Sequence, residues 1–447
     1  MGTSNAVPSR TRLHLVPILF GMVVVTFIPI GAVSQATPSN AQDLDALLSN
    51  KQYPRLEQAL QAQGGELLPQ ARDFFSAVMA NRLNQIKDSF EKLEPLVANL
   101  LLSNPARGEI ALCTLADDYA KAYRYRDAAR VYAEASGVAR QQNLTSTCDA
   151  AQEASRWALL SNAPAQTLTS PREFTVQGRW DQLGLIQVPL NVGRYAGSWI
   201  LDSGANLSTV SQSVADQMGV AISGATDEAE GASGTPLTVH AGVIPELHLG
   251  SAVFHNVPVL VVADSEFEFP QLNYHVEGSL GLPVLAALGR VSVYRNGRVH
   301  FGGEGDATRN AGFPHNLFLE KFTPVVTANF GSGDQLFTID TGAAGTILSA
   351  AFFRESRTVT STELGELELL GAGGILVSPA YQMRDVGIKL GGRCTKLETV
   401  QVLTKPVGLA DEFYGNIGET ALSSFATFTL DFNTMHFEVN GGPRVCN

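Results

Sequence analysis

Two aspartates in matched surroundings are the residues of this chain best suited to chemistry. Asp202-Ser203-Gly204-Ala205 and Asp340-Thr341-Gly342-Ala343 each follow a short apolar β-type run, and 138 residues separate the two aspartates. A carboxylate can deprotonate water and a carboxylic acid can protonate a carbonyl oxygen, so a pair that shares one proton can do both. The two segments therefore predict acid–base chemistry on water, with one carboxyl group from each copy of a duplicated unit.

The duplication extends beyond the aspartates. Gly231-Ala232-Ser233-Gly234 corresponds to Gly371-Ala372-Gly373-Gly374 at an offset of 140, and Ser279-Leu280-Gly281 corresponds to Asn416-Ile417-Gly418 at an offset of 137. Landmarks in the same order at a nearly constant offset are hard to obtain by chance. The glycine after each hydroxyl residue lets its loop turn tightly and keeps side-chain bulk away from the partner loop. We therefore expect the two aspartate loops to meet.

The elements that must position these loops are β-strands. From Phe174 onward, short β-rich runs alternate with Gly, Asn, Asp and Pro turns, a texture typical of all-β domains. A glycine-rich break at 302–306 precedes a fresh strand pattern at Phe322. Two β domains of about 130 residues each follow from this spacing.

The region before the β domains has a different texture. Apolar positions recur at helical spacing over residues 40–163, which predicts an α-helical domain over 37–163, followed by a polar linker over 161–172. A weak repeat at an offset of 42 places Asn81-Arg82 opposite Tyr123-Arg124. The second copy resembles a tetratricopeptide (TPR) hairpin, in which small residues let paired helices approach. A plain helical bundle is the alternative. Either form could bind a peptide or a protein partner.

Residues 172–303 and 312–447 each resemble the retropepsin-like aspartic peptidase domain that is common in bacterial exported proteins. Two such copies in one chain resemble the pepsin arrangement. The resemblance implies a multidomain fold of the α plus all-β class, with two β-barrel-like lobes related by a pseudo-twofold axis. It also implies that Asp202 and Asp340 face each other at the cleft floor, and that Ser203 and Thr341 hydrogen-bond across the axis.

The same resemblance places a flap hairpin in each copy, at 231–243 and 371–383. A closing hairpin would exclude water and hold an extended peptide by strand addition. His240 and Tyr381 occupy equivalent places in these segments. An aromatic flap residue is familiar in pepsins, so Tyr381 could contact the substrate. A solvent-facing strand residue is the alternative interpretation.

Alanine follows each aspartate triplet, at Ala205 and Ala343. Pepsin-like enzymes often carry a hydroxyl residue there, which stabilises the ionised carboxylate and lowers its pKa. Because alanine cannot do so, we predict a pH optimum in the mildly acidic range, above that of pepsin.

The first 36 residues indicate export. Arg10 and Arg12 precede an apolar stretch from Leu15 to Val33, and Ser34-Gln35-Ala36 has the small residues of a cleavage site. This is the pattern of a signal peptide, with an uncleaved membrane anchor as the alternative. The sequence therefore predicts a periplasmic or secreted protein.

Four cysteines fit an oxidising compartment, and their positions favour Cys113–Cys148 and Cys394–Cys446 as disulfides. The spacing of cysteine and histidine does not fit a zinc site. The net charge of −12 argues against nucleic acid or an anionic membrane surface as the main partner.

Together these features predict an exported aspartic endopeptidase that needs neither metal nor cofactor and pairs its lobes within one chain. Pairing of lobes between two chains is an alternative that leaves the enzyme intact. The rival function is a non-catalytic protein that binds peptides or a partner through the cleft and the helical domain.

Overall fold

The computed structural model describes residues 41–231, 236–303, 314–356, 363–407 and 409–442. The predicted signal segment 1–36 lies outside the described residues, as do Gly234 and Cys446. In the described ranges, no helix is both long and apolar enough to cross a membrane.

The described chain is helical from residue 41 to residue 159, in agreement with the predicted α-helical region. Its helices are α1 (Ala41–Ser49), α2 (Tyr53–Gln63), α3 (Pro69–Arg82), α4 (Ile86–Leu93), α5 (Val97–Ser103), α6 (Pro105–Lys121), α7 (Tyr125–Gln141) and α8 (Ala150–Leu159). The start of α6 shows why the boundaries fall where they do. Asn104 caps it by accepting the Arg107 amide hydrogen at 3.2 Å, and proline occupies the first helical position.

Two helical hairpins share one kind of turn. The α3–α4 turn has Asn84 at a φ of 56°, and the α6–α7 turn has Tyr123 at a φ of 59°. These turns are 39 residues apart, so the offset of 42 that the sequence suggested for the repeat was wrong. Three residues are close to one helical turn, and a shift of that size keeps the same face of each helix. The sequence pattern therefore looks similar at either offset.

Cys113 and Cys148 form the predicted disulfide, which ties α6 to the segment before α8. Glu109 lies close enough to both sulfur atoms to suggest a metal site, but the disulfide removes the thiolates that would bind the ion. Cys394 is also disulfide-bonded. Its pairing with Cys446 stays a prediction.

Strands dominate the chain after residue 166. In the first β half, residues 167–303, they are β1 (Thr167–Thr169), β2 (Glu173–Gln177), β3 (Arg179–Trp180), β4 (Ile186–Val192), β5 (Tyr195–Leu201), β6 (Ser208–Ser211), β7 (Ala221–Glu230), β8 (Pro236–Leu249), β9 (Ala252–Val262), β10 (Glu268–Phe269), β11 (Tyr274–His275), β12 (Gly278–Leu280), β13 (Arg290–Tyr294) and β14 (Arg298–Gly302). Helices α9 (Gln212–Met218) and α10 (Leu282–Ala287) interrupt them. The predicted linker is thus partly structured, because β1 pairs with β9.

The second β half, residues 314–442, has fewer described strands in a related order. Its strands are β15 (Leu317–Glu320), β16 (Thr323–Asn329), β17 (Asp334–Ile339), β18 (Ile347–Leu348), β19 (Glu363–Gly371), β20 (Gly374–Leu390), β21 (Arg393–Leu403), β22 (Gly415–Ile417), β23 (Thr427–Asp431) and β24 (His436–Asn440). Helices α11 (Ala350–Glu355) and α12 (Glu419–Leu422) take the places of α9 and α10.

The large sheets of the two halves have the same central strand order. In the first half the order is β4-β5-β12-β6-β9, and in the second it is β16-β17-β22-β18-β21. In both sheets a short strand, β12 or β22, lies parallel to the strand that ends at the aspartate. This arrangement brings the segment with Ser279 beside Asp202 and the segment with Asn416 beside Asp340.

A separate sheet joins the two halves, in the order β2-β14-β13-β23-β24. Its central pair is antiparallel, with Arg290 opposite Asp431 and Tyr294 opposite Thr427. Strands that were expected to belong to separate lobes therefore share one hydrogen-bonded sheet. The sequence does not reveal this sheet because each of its strands shows only an ordinary alternating pattern.

The helical part packs against the second half through a buried ionic cluster. Tyr53 and Arg82 both contact the carboxylate of Glu320, and the Arg82 Nε–Glu320 Oε2 distance is 3.2 Å. Burial opposes ionisation, but the charges of Arg82 and Lys51 lower the pKa of Glu320 to about 2. Beside this cluster, Lys321 contacts Glu153 at 3.0 Å.

Candidate active site

The backbone places the two aspartates in the same way in each half. Strand β5 ends at Leu201 and β17 ends at Ile339, directly before the aspartates. The Asp202 amide donates to the Leu280 carbonyl at 3.0 Å, and the Asp340 amide donates to the Ile417 carbonyl at 3.0 Å. Each aspartate is thereby anchored to the glycine-ended segment that the sequence marked as a second landmark.

Hydroxyl groups cross between the two loops. Ser203 Oγ donates to the Ile339 carbonyl at 2.9 Å, and Thr341 Oγ1 donates to the Leu201 carbonyl at 2.5 Å. Both hydroxyl residues are fully buried. The structure therefore brings Ser203 and Thr341 together directly below the aspartates, where each holds the strand end of the opposite half.

The carboxyl groups of the two aspartates lie close enough to interact strongly with each other. The glycines leave the room for this approach. A Cβ atom on Gly204 would lie 2.4 Å from Asp340 Cγ, and one on Gly342 would lie 2.5 Å from Asp202 Cγ. No side chain larger than hydrogen fits at either position without displacing a carboxyl group.

Burial changes the protonation of this pair. Burial, and then repulsion from Asp340, raise the pKa of Asp202, while hydrogen bonds from Ser279 and the Ala205 amide lower it. Burial also raises the pKa of Asp340, against hydrogen bonds from the Gly342 amide and other donors. Because the two groups interact strongly, the proton belongs to the pair. One shared proton is thus retained above the pH at which an isolated carboxyl group would lose it.

The sequence interpretation missed the role of two polar residues. Hydrogen bonding from Ser279 lowers the pKa of Asp202, and hydrogen bonding from Asn416 lowers the pKa of Asp340. The Asn416 carbonyl oxygen accepts from Thr338 Oγ1 at 2.7 Å, which leaves the amide hydrogens for Asp340. The sequence signal for them is their position. Both stand directly before the Leu-Gly or Ile-Gly pair, where the aspartic peptidase pattern has an apolar residue. They supply hydrogen bonds that Ala205 and Ala343 cannot.

The β7–β8 and β19–β20 hairpins contact each other. A Cβ atom added to Gly231, the residue directly after β7, would lie 1.8 Å from the Ala372 carbonyl oxygen. The β19–β20 hairpin turns between Gly371 and Gly374. The Gly373 amide donates to Glu266 Oε2 of the first half at 2.9 Å.

The tip of the second hairpin also packs on the first half. Leu370 and Ala372 contact an apolar cluster of the first half that includes Ile200 and Phe267, and Ala344 of the second aspartate loop contacts the same cluster. The second hairpin therefore extends from its own half to the first, next to the aspartate loops.

The two predicted hairpin side chains lie away from the tips. His240 is half-buried on β8, opposite Thr226 and Val261. Tyr381 lies seven residues beyond Gly374 on β20 and stacks on Phe353 of α11 at 5.3 Å. Seven strand residues span about 23 Å. Tyr381 therefore belongs to the base of its hairpin.

One comparison with known protein families bears on the first β half. Residues 186–284, which include Asp202 and Ser279, match the family model described as aspartyl protease. The predicted resemblance to aspartic peptidases is therefore confirmed for this segment. Among solved structures, a retropepsin-like aspartic protease from Rickettsia conorii is similar at 11% identity and a TM-score of 0.21, over 31% of this chain and 92% of that chain. No curated protein matches the chain.

Proposed function

We propose that this protein is an aspartic endopeptidase in which Asp202 and Asp340 together activate water. The observation that carries the proposal is that each carboxyl group lies against the glycine of the opposite loop, in matched loops that share one buried hydrogen-bond network. The family match over residues 186–284 supports the same class of reaction.

The reaction follows from one proton shared by two carboxyl groups. The ionised group takes a proton from a water molecule, whose oxygen attacks the carbon of the peptide bond, while the protonated group donates to the carbonyl oxygen. The resulting tetrahedral intermediate collapses when its nitrogen accepts a proton and the C–N bond breaks. The raised pKa of the pair keeps the single proton available at mildly acidic to neutral pH.

The two hairpins would act as flaps. Their contact at Gly231 and Ala372, and the packing of Leu370 on the first half, support a lid that must open for a peptide to enter. An extended peptide bound below it would gain backbone hydrogen bonds as an added strand.

We also propose that the protein is exported. The supporting features are the charged and apolar N-terminal segment and the Cys113–Cys148 disulfide. N-terminal sequencing of the protein from the periplasm or culture medium tests this. A start near residue 37 is expected, whereas an uncleaved, membrane-bound chain would support the anchor alternative.

A peptide library tests the proposed activity. The wild-type chain is incubated with the library between pH 4 and pH 8. Asp202→Asn is tested beside it. Asp334→Asn, in the second half, is the control for loss of a carboxyl group outside the proposed site. Cleavage by wild type and the control but not by Asp202→Asn is expected. Binding without cleavage under all conditions would favour the non-catalytic alternative.

A further inference from the structure

Glu419 is a buried carboxyl group that the proposed reaction does not use. It begins α12, directly after Gly418, and its side chain is 2% exposed. Within the described ranges, neither carboxyl oxygen has a hydrogen-bond partner. A buried polar group without a partner costs free energy, so its presence points to a partner that is not part of the chain.

The backbone fixes Glu419 beside the second aspartate loop. Its amide donates to the Ala343 carbonyl at 2.8 Å, and the next amide, of Thr420, donates to the Ala344 carbonyl at 3.1 Å. Its carboxyl group interacts electrostatically with Asp340 and with Asp181 of the first half. Glu419 therefore lies near Asp340 of its own half and near Asp181 of the first half. Burial, and then these two negative charges, raise the pKa of Glu419 to about 8.

Asp181 does not serve as the missing partner, because four other hydrogen bonds already occupy both of its carboxylate oxygens. Its Oδ1 accepts amide hydrogens from Leu183 and Leu185, both at 2.9 Å, and its Oδ2 accepts from Gln187 at 3.1 Å and Tyr274 at 2.6 Å. These bonds hold Asp181 in place. A positively charged donor beside Glu419 would supply hydrogen bonds and favour its ionised carboxylate, which burial and the two neighbouring negative charges oppose.

The first half supplies an internal comparison. At the position equivalent to Glu419 stands Leu282, whose amide makes the same bond, to the Ala205 carbonyl, at 2.8 Å. Leu282 is fully buried in the apolar core. The same place in the fold is therefore filled by an apolar side chain in the first half and by a carboxyl group in the second.

We propose that Glu419, with Asp181 beside it, binds a cationic group of the substrate, so that the enzyme selects peptides with a lysine or arginine side chain or a free amino terminus near the scissile bond. The inference rests on the proposed peptidase function for its substrate class. An ammonium or guanidinium group brings both the missing N–H donors and the charge that two carboxylates favour.

Paired peptide sets test this selection. Each set differs at one position only, with lysine against norleucine, arginine against citrulline, or a free against an acetylated amino terminus, which separates the possible cations. For wild type we expect kcat/KM at least about tenfold higher for the cationic member at one position, and we expect Glu419→Gln to remove the difference. The exposed residue Glu398, changed to Gln, is the control for loss of one negative charge. Equal preference in wild type and Glu419→Gln would overturn the inference.

Binding gives a readout that does not depend on cleavage. The fluorescently labelled lysine and norleucine peptides are titrated against Asp202→Asn protein, with and without Glu419→Leu, which copies the residue of the first half. Tighter binding of the lysine peptide, lost in the Glu419→Leu protein, is expected even if no peptide is ever cleaved. Indistinguishable affinities for the two peptides would reject the inference and leave the question of peptidase activity to the library experiment.

Discussion

The Ser203 amide donates a hydrogen bond to Thr341 Oγ1 at 3.0 Å, and the Thr341 amide donates one to Ser203 Oγ at 3.1 Å. Each hydroxyl also donates to a strand-end carbonyl of the opposite half. The two residues thus form a closed, buried set of hydrogen bonds between the halves. Because the aspartates directly precede them, this set controls the separation of the two carboxyl groups.

Removing one of these hydroxyl groups should destabilise the protein. Ser203→Ala or Thr341→Val leaves a buried amide and a buried carbonyl without partners, which costs about 1–3 kcal/mol of unfolding free energy. Chemical denaturation checks this, with the exposed residue Ser332, changed to Ala, as the control. The two losses should not add in the double variant, because the groups share one network. Full additivity would indicate that the two hydroxyls act independently.

Gly204→Ala should inactivate the enzyme while leaving it folded. The added Cβ atom would lie 2.4 Å from Asp340 Cγ, so the carboxyl group must shift. A displacement of about 1 Å can cost a factor of about 100 in rate. Gly345→Ala is the matched control, because its Cβ atom would meet nothing within 4 Å. Comparable kcat values for the two variants would contradict the tight approach of the loops.

The pH profile should depend on Ser279 and Asn416. Their hydrogen bonds stabilise ionised carboxylates and therefore lower the pKa of each aspartate. Ser279→Ala and Asn416→Ala should move the acidic limb of kcat/KM to higher pH. The opposite change, Ala205→Ser with Ala343→Ser, adds hydroxyl groups and should move it to lower pH. Unaltered limbs in both sets would show that these side chains do not set the protonation of the pair.

Glu320 should be essential for docking of the helical part. Glu320→Gln leaves the buried Arg82 without its counter-charge, which costs about 3–5 kcal/mol. The exposed residue Glu366, changed to Gln, should be neutral by the same denaturation measurement. Because the pKa of Glu320 is lowered to about 2, its contribution is present above the ordinary carboxyl pKa and is lost as the pH falls towards 2. A contribution that disappears well above pH 4 would contradict this.

The two aspartates could be singled out from the sequence alone, because similar residues flank both of them at a nearly constant offset, which indicates two copies of the same loop. It could also predict the helical region and the Cys113–Cys148 disulfide. The docking of Glu320 against Tyr53 and Arg82 was not predictable, because it joins residues more than 230 positions apart. No local sequence pattern shows that these residues are buried together.

Other features depend on context in the same way. Ser279 and Asn416 have polar side chains in short strands, and only the sheet order shows that they lie against the aspartates. The flap interpretation of Tyr381 came from an alignment of residue types, whereas the length of β20 places that residue far from the tip. Glu419 becomes unusual only when its burial is known, together with its lack of a hydrogen-bond partner among the described residues.

The measurement that tests the central claim most directly is kcat/KM on one cleaved peptide for wild type, Asp202→Asn, Asp340→Asn and the double variant. When two residues act as one catalytic unit, removing either one abolishes most of the activity, so removing both costs little more. We predict that each single variant loses a factor of at least about 1,000, and that the double variant is no slower than either. A single variant that keeps activity within tenfold of wild type would contradict the paired-aspartate site.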